Sequence, residues 1–148
     1  MFNVAEILKR NNIVTDLQSA IEALKVNTTL TKFELRYNKI DDDVAITIAD
    51  ALKENTTLTK LSLDWNNIGD VGACALAEAL KVNTTLKWIC LGRNFIGDDG
   101  ARAFADALKV NKTVTEIYLG DNKISTDGTL ALASAKRYRN NHKELLRL

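Results

Sequence analysis

Cys74, Cys90 and His142 are the only thiol and imidazole side chains among the 148 residues. They stand far apart, without the short spacings that gather Cys and His around zinc or set a base beside a thiol. Cys74, among small helix residues, reads as a buried filler. Cys90, between Ile89 and Leu91, is expected to point away from the core as an inert thiol, since no neighbouring cation would lower its pKa. A lone His142 in a basic tail reads as a surface residue. The 19 carboxylates form no dyad at a consistent spacing, and Gly97-Asp98-Asp99-Gly100 reads as a turn opening a helix rather than a phosphate cradle. No enzyme, cofactor or metal is therefore expected. The chemistry left is recognition: both Trp residues and two of the three Tyr fall at positions where a large aromatic has no reason to be exposed unless something docks on it.

Those positions follow from an internal repeat. At a shift of 28 residues, Leu30, Leu58, Leu86 and Val114 form one column. Phe33, Leu61, Ile89 and Ile117 form the next, and then Leu35, Leu63, Leu91 and Leu119. Asn38, Asn66, Asn94 and Asn122 follow, and Ile40, Ile68, Ile96 and Ile124 close the pattern without an insertion. The first part of each unit alternates and reads as a short strand. The second has helical spacing, as in Ala73, Leu76, Ala77 and Leu80. Asp70 and Asp98 are placed as N-caps, and Gly72, Gly100 and Gly128 allow close approach behind. Asn55, Asn83 and Asn111 are expected to end the helices in the left-handed conformation. A unit of strand, turn and helix cannot bury its apolar face alone. Stacked units bury one another's, with strands in parallel about 4.8 Å apart and helices outside. The Asn column then lies inside the turn, where its amide can pair buried backbone groups.

Residues 30–57, 58–85, 86–113 and 114–141 are four full units. Residues 1–29 read as an N-terminal cap or degenerate repeat, with a helix over 16–25 and a strand-like end at Leu8–Ile13. Residues 142–148 read as a C-terminal cap. Lys136 replaces the Leu of its column where the stack meets water, and Leu145 could open a fifth strand that Arg147 breaks. The whole is one α/β solenoid domain, a right-handed superhelix with its parallel sheet on the concave face.

L-x-x-L-x-L-x-x-N-x-I is the pattern of leucine-rich repeats, and the 28-residue period with a helical return resembles the ribonuclease-inhibitor-like subclass. The phrase A-L-K-x-N-T-T-L at 51–58 and 79–86 is similar to repeats of NOD-like receptors and of the C-terminal domain of tropomodulins and leiomodins. The resemblance implies a protein-interaction module. Through tropomodulins it implies, as an alternative, binding at the actin-filament pointed end. In those proteins actin- and tropomyosin-binding segments precede the repeats, and no such segment is seen here. Through the Ran GTPase-activating proteins, similar in repeat type, it implies a second alternative: a GTPase-activating regulator with Arg36 or Arg93 as a finger.

The columns that vary lie opposite the core. Tyr37, Trp65, Trp88, Arg93 and Tyr118, with Arg36, Asp64 and Glu116, are expected on the concave strand face as a protein-binding surface. The competing reading is that these aromatics brace the sheet across strands. The N-x-[ST] matches at Asn27, Asn55, Asn83 and Asn111 are products of the repeat rather than glycan sites. With 20 basic and 19 acidic residues the net charge is +1, which argues against a nucleic-acid or membrane-surface binder. The basic cluster Lys136, Arg137, Arg139, His142, Lys143 and Arg147 reads as a solvated cap. No signal peptide or membrane span is seen, so a cytoplasmic monomer with another protein as partner is expected.

Overall fold

The structure, a computed structural model, describes residues 17–138 and 146–147. Among the described residues five helices alternate with five strands: α1 (Leu17–Val26), β1 (Lys32–Glu34), α2 (Asp42–Glu54), β2 (Lys60–Ser62), α3 (Asp70–Val82), β3 (Trp88–Cys90), α4 (Asp98–Val110), β4 (Glu116–Tyr118), α5 (Thr126–Tyr138) and β5 (Leu146–Arg147). The strands form one sheet in the order β1-β2-β3-β4-β5, every pair parallel. Through β4 the register keeps the 28-residue period, so Phe33, Leu61, Ile89 and Ile117 stand side by side. A fifth strand does form, one residue out of step with the period: Leu146, not Leu145, pairs with Ile117. The strand-like reading of Leu8–Ile13 and the side chains of Arg139, His142 and Lys143 lie outside the described residues.

The apolar columns are the core. Phe33, Leu61, Ile89 and Ile117 are fully buried, as are Leu58, Leu86, Val114, Ile40, Ile68 and Ile96. Each helix lays its Ala/Leu stripe on them from outside, as Ala73, Leu76, Ala77 and Leu80 do in α3. Burying one Leu or Ile contributes about 1.5–3 kcal/mol, and each row is buried only by its neighbours. Lys136, in the Leu column of α5, is half-buried.

Polar ladders tie each unit to the previous one at both ends of the core. In the strand-side ladder, Asn66 Oδ1 accepts the N–H groups of Asn38 and Ile40 (3.0 Å each), and its Nδ2 donates to the carbonyls of Leu35 and Leu63 (2.9 Å each). At the helix ends, Asn83 Nδ2 donates to Leu52 O of the preceding helix (2.7 Å), and its Oδ1 accepts from Thr85 N and Leu86 N. Asn55 and Asn111 do the same. These three Asn are not left-handed: their backbones are extended, with φ near −70° and ψ near 130°. The extended turn is what sends the amide back to the neighbouring helix.

A third ladder corrects the expected caps. Asp70 and Asp98 are the first helical residues of α3 and α4, and Gly69 and Gly97 are the N-caps. Each Asp caps the helix of the next unit. Asp42 Oδ1 accepts from Gly69 N and Gly72 N (2.7 and 2.9 Å), and Asp70 Oδ1 from Gly97 N and Gly100 N (2.8 Å each). Asp98 takes the N–H and hydroxyl of Ser125, which hold its carboxyl below the ordinary carboxylate pKa. A carboxylate at a helix N-terminus also meets the positive end of its dipole. The approach is so close that a Cβ on Gly100 would sit 2.7 Å from Ile96 Cγ2, 2.8 Å from Ala73 Cβ and 2.9 Å from Asp70 Oδ1. Gly100→Ala, which in an open helix would stabilise by about 1 kcal/mol, is instead expected to destabilise by about 1–3 kcal/mol. Urea unfolding followed by circular dichroism measures the sign.

Candidate protein-binding surface

The variable residues divide into two groups that the repeat pattern placed together. The first is a ridge just beyond the C-terminal ends of the strands. There Tyr37, Trp65, Arg93 and Asp121, one column at the 28-residue period, all have left-handed backbones, with φ of 57°, 59°, 55° and 56°. This corrects the expectation that Tyr37, Trp65 and Arg93 lie on the flat strand face. The chain turns sharply after each strand to bring the next Asn inward, and the residue before that Asn absorbs the turn. Asp tolerates this conformation, whereas for Tyr, Trp or Arg it costs about 1–3 kcal/mol.

The turn throws the side chains outward into one row. Tyr37 is 64% exposed and Trp65 40%. Their rings stack with centroids 5.1 Å apart at 27°. The Arg93 guanidinium lies 4.1 Å above the Trp65 ring and pairs with Asp121 at 3.1 Å. Arg36 reaches over Tyr37 at 5.8 Å and binds the nearly buried Asp64 at 2.7 Å. Phe95, half exposed, extends the row with Lys123 4.7 Å above its ring. Phe95 was not singled out in the sequence. Its column, Lys39, Asn67, Phe95 and Lys123, has no other aromatic to mark it.

The second group is on the concave sheet. Two rows cross the strands: Lys32, Lys60, Trp88 and Glu116, then Glu34, Ser62, Cys90 and Tyr118. The rows at the β1–β3 end enclose a trough of about 440 Å³ in which Arg36, Lys60, Asp64 and Trp88 meet. Trp88 is half-buried. Tyr118 is also half-buried, because its ring lies over Gly92 and Gly120, where any Cβ would strike it. It therefore braces the sheet, and Glu116 pairs with Arg147 of β5 at 3.1 Å. The structure brings Tyr37, Trp65, Arg93, Arg36 and Asp64 together and sets Trp88 beside them; Tyr118 and Glu116 lie apart at the far end.

Cys90 is on the concave side but buried, and that burial pushes its thiol up to about 11. At pH 7.5 it is almost entirely protonated. Native protein should react with Ellman's reagent at Cys90 far more slowly than protein in 6 M guanidinium, and parity between the two rates would contradict the packing. Cys74 is not the buried filler expected: it is partly exposed, its Sγ 3.9 Å from Asp99 O. Among the described residues no group of three or more His, Cys, Asp or Glu is placed to hold a metal, and no helix is long and apolar enough to cross a membrane.

A parallel sheet bounded by asparagine ladders, with helices on its convex side, defines a leucine-rich-repeat domain. Residues 3–94 match the family described as the TMOD/LMOD leucine-rich domain, and residues 110–133 match a leucine-rich repeat. A solved structure titled leiomodin-1 actin-binding site 2 is 30% identical, covering 83% of this chain and 71% of that one, with a TM-score of 0.71. The Caenorhabditis elegans tropomodulin C-terminal domain shares the fold at 17% identity and a TM-score of 0.78, over 90% of this chain and 83% of that one. No curated protein matches by sequence. The chain belongs to the tropomodulin/leiomodin family of leucine-rich domains.

Proposed function

We propose that this domain binds another protein through the ridge and the adjoining concave sheet, and that the partner is actin. The observation that carries the reading is the exposed stack of Tyr37, Trp65 and Arg93, held in strained backbone. Strain of this kind persists where a function uses the side chain. Trp, Tyr and Arg are the residues that anchor protein interfaces. The actin assignment comes from the leiomodin relative, whose title names an actin-binding site. A pre-formed ridge on a rigid stack loses little entropy on docking.

In this reading the domain acts as a cytoplasmic monomer without a catalytic step, and nucleic acid is no partner. Nothing in the geometry favours the GTPase-activating alternative. Arg36 and Arg93 are each tied to a carboxylate and lie against a ring, so neither guanidinium is held out toward a bound phosphate. Co-sedimentation with actin filaments and filament-elongation assays test the reading. Saturable binding that Trp65→Asn weakens supports it, and absence of binding at tens of micromolar domain overturns the choice of actin.

A further inference from the structure

The trough holds an imbalance that the ridge does not explain. Three cations, Lys32, Arg36 and Lys60, face two carboxylates, Glu34 and Asp64. Both carboxylates are already occupied. Glu34 pairs with Lys32, and Asp64 takes Arg36 at 2.7 Å and the Ser62 hydroxyl at 2.5 Å. Lys60 is exposed and has no side-chain partner among the described residues. Its register neighbours are Lys32 on one side and Trp88 on the other, on strands spaced roughly 4.8 Å apart. The site thus offers one unspent ammonium on a rigid sheet, beside an aromatic wall and above a floor of satisfied polar groups.

We propose that this trough takes a carboxylate side chain of an extended acidic segment of the bound protein, with Lys60 as the charge partner and Trp88 packed against the segment's methylene groups. This rests on the protein-binding reading and adds the chemistry of what enters the concave side. The trough's volume suits one or two residues, so the segment crosses the strands and inserts a single Glu or Asp. A cationic partner segment would meet the unpaired Lys60, so the site rejects it.

The test uses Trp88 as its own reporter. Trp65→Phe leaves Trp88 the sole tryptophan. Capped hexaglutamate, hexaglutamine and inorganic tripolyphosphate are titrated into that protein at low salt. Hexaglutamate is expected to change Trp88 emission saturably, hexaglutamine not at all. Lys60→Gln should weaken hexaglutamate at least tenfold, while Lys53→Gln on the outer helix α2 leaves it unchanged. Lys60 is exposed, so folding is preserved and is checked by circular dichroism. The proposal falls if hexaglutamate gives no saturable change, if Lys60→Gln binds as well as the parent, or if tripolyphosphate binds as tightly as the peptide. Actin sedimentation on the same variants separates the two readings. If Trp65→Asn releases actin but the Trp88 titration is flat, only the trough assignment fails.

Discussion

Asn94→Ala should cost the domain about 3–5 kcal/mol and lower its melting temperature by roughly 10–20 °C. Asn94 is 5% exposed. Its Oδ1 accepts the N–H of Ile68 at 3.0 Å, and its Nδ2 donates to Leu63 O and Leu91 O at 3.0 Å, with Gly92 O at 3.2 Å. Truncation leaves the buried Ile68 N–H without a partner, worth about 1–3 kcal/mol when no water can replace the amide, and takes one hydrogen bond each from Leu63 O and Leu91 O, which keep Asn66 and Asn122 as donors, worth about 0.5–1.5 kcal/mol apiece. The emptied volume adds a packing loss. Because the stack is held only by neighbour-to-neighbour interfaces, the damage falls at the β2–β3 boundary, midway along the sheet. Urea unfolding with tryptophan fluorescence and circular dichroism checks it. A loss below 1 kcal/mol would mean that the ladder carries little of the stability. Two separated transitions would mean that the boundary uncouples before the repeats melt.

The ladder was legible in the sequence because a buried amide leaves a column that no other residue fills. The apolar columns were equally plain, and the sheet register follows them from β1 to β4. What escaped has a physical cause in each case. The Asp ladder connects Asp70 to Gly97 and Gly100, thirty residues apart at most, and a pattern read one unit at a time assigns each Asp to its own helix. The extended form of Asn55, Asn83 and Asn111 leaves no mark, since Asn is common in both conformations. The left-handed turn at Tyr37, Trp65 and Arg93 is hidden because Gly or Asn, which would announce it, is absent from that column. Side-chain identities therefore singled out residues that the structure gathers in one exposed row, but set Tyr37, Trp65 and Arg93 on the strand face instead of the ridge. The one-residue slip at β5 arises where the repeat has already lost its Leu column at Lys136.

Trp65→Asn should reduce partner affinity at least thirty-fold while changing folding stability by less than about 1 kcal/mol. Thirty-fold corresponds to roughly 2 kcal/mol, the threshold of an interface anchor. The stability term is a near cancellation. Removing the ring forfeits its stacking on Tyr37 and its cation–π contact with Arg93, together about 1–2.5 kcal/mol. Asn relieves the cost of holding a bulky residue at φ 59°, of order 1–3 kcal/mol, because it adopts that conformation readily. The backbone bond from Trp65 N to Gly92 O, 3.0 Å, needs no side chain and survives. The two readings of the aromatic row then separate cleanly. If the rings exist to brace the turns, Trp65→Asn lowers stability by more than 2 kcal/mol and leaves binding where it was. If they exist to be docked upon, binding collapses and the melting curve scarcely moves. Isothermal titration with the partner and thermal melting, run on the same preparation, decide between them. Tyr37→Asn should repeat the pattern at smaller amplitude, since Tyr37 is the more exposed of the two rings and so presents the less desolvated anchor.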